Sequence, residues 1–304
     1  MRPVRIFKIK AAAPISVLAA LLIFIVPTFA QITIEEEQWA GTAAYYERAI
    51  ASGTSEVKRD VLHRIRGHRS SEVSNLALPA LRDADPIVRA TAASAVIWLE
   101  PVSATNALTP LLSDRSEFVR REAAYALAQA GTNAAVPRLS EVLRRDSDNE
   151  VRAAAAIALG GIGDPSALGP LMEIIRGRRN EETEFLRSMA ARSIGQIALF
   201  VRGGIRPETV PQNFLPLKHK LKMAVAPSSV SAPAFGRAVS ELRAILLNSR
   251  ETIDVRRHAA FAIGAIGEEG SRSLLERFTS NPDPYLAEIA REALLMLSVT
   301  SDEN

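Results

Sequence analysis

An aliphatic residue followed by a basic one returns along this chain at Val57-Lys58, Val88-Arg89, Val119-Arg120, Val151-Arg152, Leu186-Arg187 and Val255-Arg256, and once without the basic member at Leu286-Ala287. The intervals are 31, 31, 32, 35, 69 and 31 residues. A period in the thirties marks stacked structural repeats, in which each unit is too small to bury its own apolar face and must share it with its neighbours. A length of 304 residues therefore does not argue for two globular domains, because an array grows by adding units.

The content of each unit follows from its register. Alanine stands four residues past the anchor six times, at Ala92, Ala123, Ala155, Ala190, Ala259 and Ala290. Alanine or serine follows at the seventh position (Ala95, Ala126, Ala158, Ser193, Ala262, Ala293) and an aliphatic residue at the eighth (Val96, Leu127, Leu159, Ile194, Ile263, Leu294). Positions 0, 4, 7 and 8 share one side of a helix with 3.6 residues per turn. Small residues on that side let neighbouring helices approach closely. Each such helix is preceded by another amphipathic run, at Val73 to Arg82, Ala107 to Ser113, Ala135 to Arg144 and Leu168 to Arg176. Asp85 before Pro86 and Asp283 before Pro284 supply an N-cap with proline at the first helical position. Gly131, Gly163 and Gly267, each twelve residues past its anchor, are placed to end helices. The unit is a helical hairpin of roughly thirty residues.

These residues resemble the HEAT repeats, in the short bacterial variety named after the phycobilisome-lyase proteins. The likeness is carried by Asp83 with Val88 and Arg89, Asp114 with Val119 and Arg120, and Asp146 with Val151 and Arg152, each followed by an alanine-rich run, most plainly VRAAAAIALGGIG from Val151 to Gly163. It is strong over Val73 to Gly163 and Arg237 to Gly267, and weaker over Glu35 to Arg66, Leu168 to Gln196 and Arg272 to Leu297. The resemblance implies an all-α, right-handed superhelical α-solenoid of about seven HEAT-like helical hairpins. It also implies a structural Asp-Arg ladder between repeats, formed by Asp83, Arg89, Asp114, Arg120, Asp146 and Arg152. Glu181 stands in place of the aspartate before Arg187, and Arg250 before Arg256, so an interruption of the ladder is expected near the C-terminal end.

Five segments follow: a signal peptide at 1–30, repeats 1–5 at 31–199, a Pro-rich basic insertion at 200–234, repeats 6–7 at 235–299 and a polar tail at 300–304. The first hairpin opens with a capping box from Thr33 to Glu36 and carries Val61 and Leu62 where later repeats have alanine, as an end cap with one neighbour would. The insertion explains the doubled interval of 69, and five of the seventeen prolines collect in it: Pro207, Pro211, Pro216, Pro227 and Pro233. Within it Lys218, His219, Lys220 and Lys222 form a basic strip, read either as a solvated linker or as a partner contact.

The first thirty residues read as an address. Arg2, Arg5, Lys8 and Lys10 precede an apolar stretch from Ala11 through Val26, and the small residues Thr28 and Ala30 suit cleavage after Ala30. The expectation is a periplasmic or secreted bacterial protein with a cleaved signal peptide. The alternative is an uncleaved segment that anchors the chain in the inner membrane. Without these thirty residues the charge is 37 − 4 = 33 basic against 34 acidic, a net of −1, so the pI of about 9.4 belongs to the signal. Nucleic-acid binding loses its electrostatic support, and after cleavage no membrane partner is expected. Zero cysteine removes disulfides, thiolate metal sites and cysteine nucleophiles; the absence of any Asn-x-Ser/Thr acceptor also suits the bacterial setting.

Chemistry is sparse. His63, His68, His219 and His258 lie in three segments, and none is followed by glutamate, so the paired His-Glu dipeptides that serve iron hydroxylases built on this kind of repeat are missing. No Gly-x-Ser-x-Gly elbow, phosphate loop or dinucleotide fingerprint appears. Gly160, Gly161 and Gly163 read as a helix end. Neither catalytic residues, nor metal ligands, nor a cofactor is expected. Chromophore-lyase activity, known for some members of the resembled family, sits poorly with export because phycobilisome assembly is cytoplasmic.

The repeats offer surface instead. Positions 6 and 10 past the anchor point away from the buried side and read Ser94 and Trp98, Tyr125 and Gln129, Ile157 and Gly161, Arg192 and Gln196, Phe261 and Ala265. If these helices line the concave side, as the resemblance implies, Trp98, Tyr125, Gln129, Arg192, Gln196 and Phe261 form a partner-binding stripe of the aromatic and arginine types that anchor interfaces. A core placement is the alternative, with Trp98 beneath the next hairpin and Phe261 beneath the insertion. The function expected is a non-catalytic scaffold holding a protein or peptide along the concave face. The alternative is an enzyme, or an accessory subunit of lyase or oxidoreductase type, with its site in the groove or in the 200–234 insertion.

Overall fold

The computed structural model describes residues 41–203 and 233–298. The signal segment, the Thr33 to Glu36 capping box, the basic strip at Lys218 to Lys222 and the polar tail lie outside the described residues. The chain divides into two units, residues 1–48 and 49–304, each of which is described by itself. In the first, residues 41–48 are helical, the Tyr45 and Tyr46 rings lie 5.9 Å apart between centroids, and Arg48 donates from Nε to the Ala44 carbonyl at 3.1 Å. This helix, α1, ends at residue 52.

The second unit continues as helical pairs, with no strand among the described residues. In chain order they are α2 (Ser55–His68), α3 (Ser71–Asn75), α4 (Pro86–Ala95), α5 (Pro101–Leu108), α6 (Glu117–Ala130), α7 (Val136–Arg145), α8 (Asn149–Ile162), α9 (Leu168–Arg176), α10 (Glu181–Gly203), α11 (Pro233–Leu247), α12 (Ile253–Ile266), α13 (Arg272–Phe278) and α14 (Pro284–Ser298). The even-numbered helices from α2 to α14 pack successively on one another, and α10 meets α12 directly although the insertion separates them in sequence. The odd-numbered helices from α5 to α13 form the second layer, each against the even-numbered helix that follows it, and the 3-10 turn Leu78–Arg82 takes that place against α4. This is an all-α solenoid.

The alanine register lies at the centre of the packed layer. Ala92, Ala123, Ala155, Ala190, Ala259 and Ala290 are all at 0% exposure. The anchors Val88, Val119, Val151, Val255 and Leu286 are equally buried; the aliphatic residues at the eighth position are buried with them, except half-buried Leu294. Each fully buried Leu or Ile contributes about 2–3 kcal/mol of transfer free energy, and the alanines between them set the spacing. The first anchor departs from this pattern: Val57 is 39% exposed, and Val61, Leu62 and Ile65 take over the interior of α2.

Local signals fix the ends. Asp85 caps α4 by accepting from Ile87 N at 2.8 Å, Asp148 caps α8 through Val151 N at 2.9 Å, and Asp283 accepts from Leu286 N at 2.6 Å. Gly163 and Gly267 close α8 and α12 with φ of 80° and 77°, the left-handed conformation that glycine adopts without penalty. Two of the first helices depart from the expected continuous runs. Proline at 79 and at 110 converts Leu78–Arg82 and Thr109–Ser113 into 3-10 turns following α3 and α5. Gly160 and Gly161 were expected to end a helix but lie inside α8. The reason is close packing: a Cβ on Gly161 would stand 2.5 Å from the Ala128 carbonyl oxygen of α6.

Side chains tie successive repeats together. Arg89 forms a two-pronged pair with Asp114, Nε and Nη2 each at 2.8 Å, and Arg120 does the same with Asp146 at 2.7 and 2.8 Å. Each of these arginines also donates from Nη1 to loop carbonyls of its own repeat, Asp83 and Ala84 for Arg89, Asp114 and Arg115 for Arg120. Asp83 pairs with Lys58 at 2.6 Å, and Arg257 with Asp283 at 2.6 Å. Burial alone would raise the Asp114 carboxyl; the Arg89 hydrogen bonds, the Ser116 amide and nearby guanidinium charge outweigh it and hold the group below the usual carboxylate range.

The expected ladder breaks at Arg152, which has no carboxylate: Nε donates to the Leu143 carbonyl and Nη1 to Asn149 Oδ1, both at 2.9 Å. The interval of 35 residues is the cause. Asn180 Oδ1 accepts from Thr183 N at 3.0 Å, so α10 starts three residues earlier relative to its anchor than α4 or α6, and Glu181 is drawn into its first turn. Arg187 reaches instead across 64 residues of sequence to Glu251, at 2.6 and 2.8 Å. The two side chains are 2% and 1% exposed.

Candidate functional site: a cleft across three repeats

The outward positions of α6, α8 and α10 converge. Tyr125, Ala128 and Gln129 from α6, Ile157 and Gly161 from α8, and Arg192 and Gln196 from α10 line one cleft of about 240 Å³. Because every second helix begins at the same anchor and packs through the same alanines, positions 6 and 10 fall on a common face, one residue pair per repeat. The floor is low because Gly161 and Ala128 carry little or no side chain. Ala128 was not anticipated; it stands at position 9, between the two stripe positions.

The walls are chemically uneven. Tyr125 is half-buried, and its hydroxyl is pushed up first by burial and then by the Glu150 carboxylate. Gln129 is exposed. Arg192 is half-buried, and burial depresses its guanidinium below the usual arginine value. Among the described residues it has neither a carboxylate nor a hydrogen-bond acceptor. Gln196 is 8% exposed as a residue, and its amide, open to the cleft, likewise has no hydrogen-bond partner among the described residues. It lies against Gly160, where a Cβ would stand 2.5 Å from Gln196 Oε1. Beside it the Ser193 hydroxyl is buried without a partner.

His258, on α12, adjoins Arg192. Burial, then the Arg192 charge, lowers its pKa to about 4, with Arg257 acting in the same direction and the Asp254 carbonyl and carboxylate opposing. The ring is therefore uncharged at neutral pH, and its Nδ1 lies 2.9 Å from the Asp254 carbonyl oxygen.

Two stripe residues lie elsewhere. Trp98 falls beyond the end of α4, in the turn that follows Ala95. Its Nε1 donates to the Arg66 carbonyl at 3.1 Å and the Arg69 guanidinium stands 5.9 Å from the ring centroid, so it fastens the C-terminal end of α2 rather than lining the cleft. Pro101 opens α5, and Glu100 before it has left the helical region with ψ of 137°. Phe261 lies against α10, where a Cβ on Gly195 would be 2.7 Å from its ring. Among the described residues no group of three or more His, Asp and Glu side chains is arranged to hold a metal.

The HEAT repeats family model matches residues 74–160 and 136–211. Solved structures similar in fold include an engineered protein (19% identity, 84% of this chain and 68% of that one, TM-score 0.48) and the complex of CpcE and CpcF of phycocyanin lyase from Nostoc sp. PCC7120 (19% identity, 84% and 94%, TM-score 0.46). A designed armadillo repeat protein in complex with the peptide (KR)4 is also similar (18% identity, 83% and 98%, TM-score 0.41). No curated protein matches the chain significantly in sequence. Within the matched stretch the thirty-odd-residue period, the buried alanines and the family match coincide, so this part of the chain is built of HEAT repeats.

Proposed function

We propose that this is an exported, non-catalytic HEAT-repeat scaffold that holds a protein or peptide partner along the face its second helices share. The observation that carries this reading is the cleft: three successive repeats each contribute their outward positions to it, as an extended ligand running along an array requires. Its lining has an aromatic ring, an arginine and two amides over an apolar floor, a composition suited to grip a chain. It has no carboxylate and no imidazole, the groups on which general acid-base chemistry draws. Export rests on the sequence of residues 1–30.

Site-specific photocrosslinking tests the binding face. A photoreactive residue replacing Gln129, inside the cleft, is expected to give discrete adducts in the exported fraction, while the same residue at exposed Arg145, on the other layer, gives none. Equal labelling at the two sites, or none at either, overturns the reading. N-terminal sequencing of the exported protein is expected to start at Gln31; recovery of Met1 would show an uncleaved anchor.

A further inference from the structure

We propose that the Arg192 end of the cleft is a carboxylate site, where Arg192 and Gln196 take an acidic side chain or a C-terminal carboxylate of the peptide partner. The inference rests on the scaffold reading and specifies its ligand. It starts from a contrast within the chain. Arg89, Arg120, Arg187 and Arg257 each hold a carboxylate of a neighbouring repeat by two nitrogens. Arg192 occupies the same layer of second helices, has lost part of its water to burial, and has no anion among the described residues.

The second observation is independent of the first. One turn further along α10 Gln196, a residue only 8% exposed, opens its amide into the cleft, where it has no hydrogen-bond partner among the described residues. On an otherwise packed residue the amide is thus left free to meet a ligand in the cleft, beside an unpaired guanidinium. The planar guanidinium presents parallel N–H groups that match the two oxygens of a carboxylate, and the amide supplies a further donor.

Charge favours a monoanion over a phosphate dianion. Arg192 is the one cation in the lining, and His258 beside it stays neutral above its pKa of about 4. On the side of α6 and α8 the Glu150 and Glu122 carboxylates, opposed by Arg121, act on Tyr125, so an anion is drawn to the α10 side. Ile157, Gly161 and Ala128 between the two ends would receive the aliphatic part of the bound residue.

The test is an array of random twelve-residue peptides, each made in three forms: unmodified, C-terminally amidated, and amidated with every Asp and Glu replaced by Asn and Gln. The array is probed with the full chain, with Arg192→Met, with Gln196→Leu and with the double variant Tyr125→Ala/Gln129→Ala, each first shown by circular dichroism to be folded. The expected result is that peptides bound by the wild type weaken at least tenfold when their carboxylates are removed, and to a similar extent with Arg192→Met. Gln196→Leu should give a smaller loss. Weakening already on amidation identifies a C-terminal carboxylate as the source; weakening only in the third form identifies a side chain. Peptides that bind all three forms equally yet lose binding with Tyr125→Ala/Gln129→Ala would overturn the carboxylate site and leave the scaffold reading standing. If no peptide distinguishes the wild type from that double variant, both readings fall.

Discussion

Residues 71–162 and residues 168–266 solve the same packing problem in different ways. In the first region the period is kept at 31 or 32 residues and the ion pairs between repeats sit at the margin, with Arg89 and Asp114 side chains 17% and 11% exposed. In the second, the interval stretches to 35 and then 69, and one pair, Arg187 with Glu251, is almost entirely buried. Its Nε is left without a partner, while Nη2 also holds the Ile175 carbonyl at 3.0 Å. Regular spacing lets many equivalent and partly hydrated contacts share the task. Where spacing fails, one desolvated contact must bring together helices that lie far apart in sequence.

The contrast is tested most sharply at Glu251. Removing one partner of a buried ion pair strands the other charge, at a cost of about 3–5 kcal/mol. Glu251→Ala is therefore expected to lower the midpoint of urea unfolding far more than any ladder substitution. Arg187→Met/Glu251→Leu together should recover much of that loss, because an apolar pair carries no stranded charge. If Glu251→Ala costs no more than Asp114→Asn, the two regions do not differ as argued.

Acidification separates the regions by pH. His258 has a folded-state pKa of about 4 against an ordinary value of 6.5, so the unfolded chain takes up its proton first. Its contribution is present in full above pH 6.5 and is lost as pH falls through that window toward 4, by up to about 3 kcal/mol. The paired carboxylates Asp114, Asp146 and Glu251 are shifted downward, so their contributions persist to lower pH and are lost only as it falls below the ordinary carboxylate range. Unfolding free energy measured from pH 7 to 4.5 should decline in the wild type and stay nearly flat in His258→Gln. A decline of the same size in the variant would assign the effect elsewhere.

The regularity of the first region is also why it could be read from sequence. Ala92, Ala123 and Ala155 repeat at one position because every helix there meets its neighbours through the same face, and that register also brings Tyr125, Gln129, Arg192 and Gln196 to one cleft. Asp85, Asp148 and Asp283 act locally, so their capping needs only the next few residues. What escaped the sequence depends on distance or on a helix end. Trp98 leaves the stripe because α4 stops at Ala95 ahead of Pro101, Arg152 loses its carboxylate because α10 starts early and takes in Glu181, and Glu251 has its partner 64 residues away. Likewise, nothing near His258 in the chain announces Arg192.

Within the regular region, Asp114→Asn should cost about 1–2 kcal/mol, since it weakens a charge-assisted pair to Arg89 but leaves an oxygen to accept from Ser116 N, now at 2.9 Å. The loss should shrink only slightly in 1 M salt, because the pair is partly shielded from solvent. Asp146→Asn, opposite Arg120, should behave alike, and a threefold difference between them would argue against equivalent rungs.

The smallest effect is expected at Arg144, which meets Glu173 across the neighbouring first helices, α7 and α9, at 2.7 Å with side chains 41% and 53% exposed. Both groups are hydrated, and holding two long side chains in one geometry offsets most of the attraction, so Arg144→Ala should change stability by no more than about 0.5 kcal/mol. The sequence separation of 29 residues resembles that of a ladder pair, so separation alone cannot explain a different outcome. A double-mutant cycle with Glu173→Ala isolates the coupling, expected near zero at 0.5 M salt, while the Arg120–Asp146 cycle keeps a measurable coupling under the same conditions. If the two couplings were equal, burial of the second-helix layer would not be what gives the ladder its strength, and the contrast between marginal and buried pairs would lose its physical basis.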